Sequence, residues 1–583
     1  MNLRSLIAVL ATIVMVLAAP ALASAHATLE SSVPERGAEL EQAPDAIELQ
    51  FSEPVEASFG SVRLFDSSGD PVEGTENFRP GGEGSALGIR LPDGLGEGAY
   101  TATYRVISAD SHPVSGGFVF TVGDPGGAPS ESVSELLDDS EADGATRVAA
   151  GVARFFTYAA TALGVGVFVF ALFVFGPAIR QASASGDRWR EAAEAFDQRA
   201  VTLVRVAVAF GLAAGALGIV CQGAIAGGTS VWSALDATVV GNVLETRFGT
   251  VWELREIAWV LLGLATIQLS PFTTTPRAKM ASFRGAVILI ATSFLVLAPA
   301  LSGHASTFTP GWLLVPSTTV HVEAMSMWAG GVSALVFGLR FATRRLEPED
   351  RTRLLSAALV GFSGLALGAV VALAATGTIQ AVSYLESVSD LWSTGFGRAV
   401  SAKILLFGAL VTVGVIQRRR SLPQLRKASE GGLPPGRGGK VAIRALRVEV
   451  ALFAGVLAAT AILAGEPPPG AEAGGPQSAS ADLGAARLDV SVEPASVGSN
   501  EIHLYLFDAE DGSQYDELGQ VSLEASVPAE EIGPIELDIE KSGPGHYTAP
   551  DALLGVPGVW ELELSGRVSR FEDLTGSVEI EIR

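Results

Sequence analysis

Eight apolar stretches between residues 151 and 464 constrain this chain more than any other feature, because each is near the roughly 20 residues a helix needs to cross a bilayer core. They fall at about 151–175, 201–222, 254–270, 285–302, 313–339, 353–378, 399–416 and 444–464. A helix satisfies every backbone N–H and C=O without water, so the pattern predicts an eight-helix transmembrane bundle. The connections set its orientation. The first holds Arg180, Arg188, Arg190 and Arg199, and the third holds Arg277, Lys279 and Arg284. The fifth holds Arg340, Arg344, Arg345, Arg351 and Arg353, and the seventh the run QRRRSLPQLRK. The second, fourth and sixth are nearly free of basic residues. Basic connections stay cytoplasmic, so both ends of the bundle are expected outside a multi-pass cytoplasmic membrane protein.

Charge divides the chain in the same way. A net charge of −24 coexists with a positive mean hydropathy of +0.37. Residues 26–146 carry 23 Asp+Glu against 5 Lys+Arg, residues 465–583 carry 24 against 5, and the remainder is net +13. Two acidic pieces thus flank a basic, apolar centre that meets the lipid bilayer. The acidity speaks against nucleic acid as a partner and suits domains that meet cations. The start, MNLRSLIAVLATIVMVLAAPALASA, sets Arg4 before an apolar run that closes on Ala23 and Ala25, which reads as a signal peptide over 1–25. A retained anchor is the alternative, and Pro20 with the small-residue end counts against it. One cysteine, Cys221, leaves the exported pieces without a disulfide framework.

The flanking pieces alternate with a period of two. AIELQF, SVRLFD, YTATYRVI and GFVFTV, divided by Gly/Pro-rich turns, predict an all-β sandwich over 26–123. An acidic linker follows over 124–147, then the membrane domain over 148–464 and a Pro/Gly linker over 465–484. Beyond it, ARLDVSVEP, EIHLYLF, IELDIEK, VWELELSG and GSVEIEIR predict a second, immunoglobulin-like all-β sandwich over 485–583.

Metal chemistry enters at the expected cleavage site. A cut after Ala25 makes His26 the first residue, which then offers both its α-amine and its imidazole to one ion. In VISADSHPVSG, Asp110 and His112 stand two apart, and an i, i+2 pair in extended chain shares a face. Together they form a nitrogen and oxygen set suited to Cu(II). The plainer reading is a coincidence of cleavage beside an exposed turn histidine.

The segments HATLESSVPERGAEL, IELQFSEPV and SADSHPVSG resemble the CopC family of periplasmic copper-binding proteins. The resemblance spans nearly all of 26–123 and implies a cupredoxin-like β sandwich with Cu(II) held by His26, Asp110 and His112. Some members also hold Cu(I) in a Met-rich loop; no Met occurs between Met15 and Met280, so that site is not expected here.

SGHAS, HVEAMSMWAGG, TGFGRAVSAK and RVEVALFAGVLAATAILAGEPPP resemble CopD, the inner-membrane partner of CopC. Intramembrane ionisable residues are costly and usually face a cavity or the bundle interior. His304 ends the fourth stretch and His321 lies within the fifth, with Met325 four residues on, on the same helical face. A thioether suits Cu(I), so His304, His321 and Met325 form a candidate copper path. Interhelical hydrogen bonds with packed methionines, or axial ligation of haem by the two histidines, are the other readings. Glu253 and Glu256 begin the third stretch, Arg398 and Lys403 flank the seventh, and Glu449 is expected to pair with Arg444 or Arg447. Cys221 reads as a small apolar core residue.

The C-terminal piece resembles YtkA-like domains through its G-x-G-x-Y and P-G-x-W-x-L pattern (GPGHY, PGVWEL). His503 is expected mid-strand and His546 in a turn, both structural. The whole resembles the CopC–CopD fusion family of YcnJ-like copper transport and resistance proteins. That implies copper uptake or homeostasis at the membrane; sequestration outside without transport, and a membrane redox or haem protein, are the alternatives. With no GxxxxGK[ST] loop, CxxC motif or nucleophilic triad, the chain does not read as an enzyme, and it names no protein partner.

Overall fold

The computed structural model describes residues 27–582 except 28, 37, 57–61, 93, 109–112, 124–135, 138–141, 184–186, 268–282, 386, 470–476, 494, 496, 510–513 and 570–571. The chain divides into two compact units. One holds residues 144–222 and 243–469, and the other holds both β regions with residues 223–242.

The first β region consists of β1 (Leu29–Val33), β2 (Glu39–Leu40), β3 (Ala46–Phe51), β4 (Val62–Phe65), β5 (Glu76–Phe78), β6 (Ala86–Arg90), β7 (Gly98–Ile107) and β8 (Pro113–Val122). Two four-stranded sheets result, ordered β1-β3-β6-β5 and β2-β8-β7-β4. All pairs are antiparallel except β2 with β8. Ile47, Leu49 and Phe51 alternate inward from β3 to meet Leu64, Ile89, Phe118 and Phe120. Each such side chain contributes about 1.5–3 kcal/mol on burial, which lets the domain hold without a crosslink.

Among the described residues eight long helices follow: α1 (Gly144–Ala182), α2 (Asp187–Ala226), α3 (Arg247–Thr266), α4 (Phe283–Leu301), α5 (Gly311–Thr343), α6 (Pro348–Tyr384), α7 (Gly395–Glu430) and α8 (Gly436–Leu463). Among the described residues seven are long and apolar enough to cross a membrane, one fewer than the eight expected. The exception is α3, whose 20 residues suffice in length but include Glu253, Arg255 and Glu256. Two of its charges are shielded, whereas Glu253 is exposed. Arg255 pairs with Glu256 at 3.1 Å, both largely shielded, while Trp252 donates to the Gly215 carbonyl of α2 at 2.8 Å. A threshold on apolar composition misses a helix that carries an internally neutralised Arg255–Glu256 pair.

Close packing in the bundle rests on small residues. At the crossing of α1 and α5, a Cβ on Gly166 would lie 2.0 Å from the Ser326 carbonyl oxygen, and one on Gly330 2.2 Å from that of Ala162. Only glycine permits that backbone contact.

The second β region contains β9 (Gln477–Asp482), β10 (Ala486–Glu493), β11 (Gly498–Asp508), β12 (Val521–Val527), β13 (Ile532–Leu537), β14 (Glu540–Gly543), β15 (His546–Leu554), β16 (Gly558–Ser569) and β17 (Glu572–Ile582). Its sheets run β14-β15-β11-β10-β9 and β13-β12-β16-β17 around a core that includes Leu488, Ile502, Leu504, Trp560 and Leu562. Two departures from expectation appear. Strand β9 falls inside the stretch read as linker, where QSASAD pairs antiparallel with β10. His546 opens strand β15 instead of lying in a turn; Pro544 and Gly545 before it and Pro550 within the strand mask the period.

Candidate metal sites

His26, Asp110 and His112 lie outside the described residues. Their flanks are described. Ala27 is buried in the first β core, and Leu29 stands opposite Phe51 in the β1–β3 register. Beyond Phe51, Glu53 accepts from the Ser108 hydroxyl at 2.5 Å, and Glu56 bridges Ile107 at the end of β7. The start of β1 and Ser108, just past the end of β7, therefore share one end of the sandwich.

The two membrane histidines lie against one helix, α6, at different levels. His321 Nδ1 lies 2.9 Å from Thr376 Oγ1. The His304 ring is surrounded edge-on by Phe308, Tyr384 and Phe396, with centroids 6.2, 6.0 and 6.3 Å away. Thr376 and Tyr384 are eight residues apart on α6, about 12 Å along the axis at the helical rise. The two histidines thus do not converge on one point. Met325 packs against the main bundle core, one turn beyond His321. Among the described residues no three His, Cys, Asp or Glu side chains gather around a metal position.

Sequence reasoning missed the partner face of α6. Thr376, Gln380 and Tyr384 recur at i, i+4 and i+8, a polar stripe in an apolar helix, and that periodicity was the available signal. Gln380 Nε2 is buried without a hydrogen-bond partner among the described residues. Glu449 also differs from expectation: it is buried and accepts from Gln417 Nε2 at 2.7 Å. Arg444 and Arg447 are exposed on α8, five and two residues away, off the Ala442–Leu446–Glu449–Phe453 face. Arg398 and Lys403 make no ion pair among the described residues. Cys221 is a free, buried thiol, as expected of a core residue.

Two histidines read as isolated come together in the second β region. His503 Nδ1 and His546 Nε2 are 3.1 Å apart, 43 residues apart in sequence. The Thr548 hydroxyl lies 3.5 Å from the first and 3.4 Å from the second. His503 Nε2 faces Glu501 Oε1 at 3.3 Å, and Tyr505 stacks on His546 with centroids 4.5 Å apart. These residues occupy the face of β11 and β15 turned away from the domain's own core, which takes Ile502, Leu504, Tyr547 and Ala549. That outer face meets the first β region. Arg36 bonds Glu493 at 2.7 Å, and Val119 packs against Tyr505 and Phe507.

Burial shapes the electrostatics there. It pushes the Glu493 carboxyl up against the opposing pull of Arg36. Burial, then the neighbouring His503, holds His546 well below the usual imidazole range. Burial also raises Glu501, but the hydrogen bond and charge of His503 outweigh it and leave that carboxyl lowered.

Comparison with known proteins places these features. Residues 29–123 match the CopC domain, 145–315 the copper resistance protein D-like N-terminal domain, and 356–463 copper resistance protein D. Copper transport protein CutJ of Bacillus subtilis (strain 168) is 24% identical over 565 residues, 95% of each chain. Copper resistance protein C of Escherichia coli is 33% identical over 106 residues, 17% of this chain and 83% of that one. The crystal structure of CopC from Methylosinus trichosporium OB3b covers 17% of this chain and 93% of its own at 30% identity, with a TM-score of 0.16. Fold and matches define a multi-helix membrane protein with a β domain on either side of its helices in sequence. The chain belongs to the CopC–CopD family, with both domain types in one polypeptide.

Proposed function

We propose that this protein captures Cu(II) through His26, Asp110 and His112 and passes copper to its helical domain for uptake across the cytoplasmic membrane. One observation carries the reading: the described flanks of both halves of the ligand set, Ala27–Leu29 and Ser108, are tied to one end of the β sandwich through Phe51 and Glu53. The donors, an amine, two imidazoles and a carboxylate, form a set that Cu(II) prefers. The presence of CopC and CopD domains in one chain supports capture and membrane handling as successive steps. Within the bundle, the copper path runs past His304, then about two turns along α6 to His321, then to Met325. The alternation of basic connections supports both β domains being outside.

The test is insertion of one Ala between Ala25 and His26, with the cleavage point verified by mass spectrometry. Cu(II) affinity falls if the amino-terminal chelate is formed; unchanged affinity with the extra residue leading overturns it. Cellular copper decides the second half. Uptake predicts less copper in a deletion strain, whereas sequestration outside without transport predicts no fall in cytoplasmic copper.

A further inference from the structure

We propose that His503 and His546 form a second copper site, on the face by which the C-terminal β domain meets the N-terminal one. This rests on the reading that the chain handles copper and adds a position that the capture site does not include.

The geometry already suits a metal. Metal–imidazole bonds of about 2.0–2.1 Å meeting at roughly 100° span the 3.1 Å between His503 Nδ1 and His546 Nε2. With Thr548 Oγ1 these nitrogens form a triangle of sides 3.1, 3.4 and 3.5 Å. The point equidistant from all three atoms is about 1.9 Å from each, near the length of such a bond. The surroundings supply the second requirement. A ligating histidine usually donates its other ring N–H to a carboxylate, which fixes the tautomer. Glu501 at 3.3 Å from His503 Nε2 is placed to take that proton, leaving the Nδ1 lone pair facing His546. His546 offers its Nε2 lone pair once its own proton resides on Nδ1.

A hydrogen bond between two imidazoles also fits 3.1 Å, but it explains less. It keeps two polar rings desolvated on a sheet face that apolar side chains would pack more cheaply. It does not account for the near-equal approach of the Thr548 hydroxyl to both nitrogens. The location matters too. His503 and His546 are only 8% and 3% exposed although they lie outside the domain's own core, on a face that contacts the copper-binding domain through Arg36 and Val119.

The test uses full-length protein in detergent carrying the Ala insertion before His26, titrated with Cu(II), with bound metal counted after desalting. The expected result is one copper per chain that the added pair His503→Gln and His546→Gln removes, with two imidazole nitrogens in its pulsed EPR spectrum. Glu501→Gln, which retains both ligands, lowers affinity about 10–100-fold. Equal copper with and without the histidine pair, or a spectrum lacking two imidazoles, overturns the second site. Should the double variant fail to fold, the spectrum of the insertion variant decides alone. A parent protein that binds one copper, lost on insertion, leaves the capture reading intact and refutes only this inference. A parent that binds none refutes both.

Discussion

In the bundle, His304 and His321 contact α6 at separate levels, each closed in by its own neighbours. In the C-terminal β domain, His503 and His546 come from paired strands and meet nitrogen to nitrogen. The difference follows from the elements. Along a helix, residues on one face are displaced by about 6 Å per four positions, so polar side chains form a ladder. Across a sheet, side chains lie about 5 Å apart when directly opposed and about 7–8 Å apart on the diagonal, near enough for two long rings such as His503 and His546 to share a point. A ladder suits passage of an ion, and a point suits holding one.

The strongest way to break this contrast is to remove the packing that sets the rungs. Gly330→Leu would drive a side chain into the Ala162 carbonyl and separate α1 from α5. We expect a loss of more than about 4 kcal/mol, in the range of severe core disruptions, read as loss of monodisperse protein in detergent. Uptake should fail, since His321 and Met325 ride on α5. Second comes the charge pair on the face that holds the histidines. Arg36→Met leaves Glu493 buried and unpaired, at an expected cost of about 3–5 kcal/mol. Adding Glu493→Leu should recover most of it. A melting curve of the β domains measures both, and equal melting of single and double variants would remove the pair from any role in the contact.

Thr376→Val sharpens the ladder at smaller cost. It takes away the hydroxyl 2.9 Å from His321 Nδ1 and leaves the ring in place. An unsatisfied buried group costs about 1–3 kcal/mol, so the melting temperature should drop modestly. If His321 is a rung, His321→Ala and His304→Ala each reduce copper uptake while Thr376→Val reduces it less. Uptake unchanged in both histidine variants would return these residues to packing.

Strands with clean alternation are legible in the amino-acid order alone. AIELQF occupies β3 without a shift, and VSVE and LYLF lie in β10 and β11. Short or interrupted strands such as β5, β6 and β15 are not, because three to five residues or an internal proline leave no period to count. The helices are legible from apolar length, α3 among them, although its charged residues keep it below a composition threshold for a span. Of the candidate sites, His321 and Met325 follow from helical spacing, whereas Thr376 lies on a helix with no His, Cys or Met to mark it. The meeting of His503 with His546 has no local signal at all. It depends on the antiparallel register of β11 with β15, which places Thr548 opposite His503 and His546 opposite Tyr505. Arg36 and Glu493, 457 residues apart, are further still from any local rule.

The smallest effect expected is at the exposed edge of the same β domain. Asp516 accepts from Lys541 Nζ at 2.6 Å and from the Gly545 N–H at 3.2 Å, just before His546. The lysine hydrogen bond leads in holding the Asp516 carboxyl below its usual range, against the opposing effect of burial. A lowered carboxyl contributes stability that is present above its unfolded pKa, about 4, and is lost as pH falls through the lower folded value. Both side chains are nearly half exposed, so solvent and salt screen the pair and the contribution should stay below about 1 kcal/mol. Asp516→Asn should therefore flatten the acid limb of the domain's melting curve only slightly, with less effect at high salt. A shift as large as that of Arg36→Met would mean that this hairpin edge, and not the face carrying Glu493 and Glu501, governs how firmly the histidine pair is held.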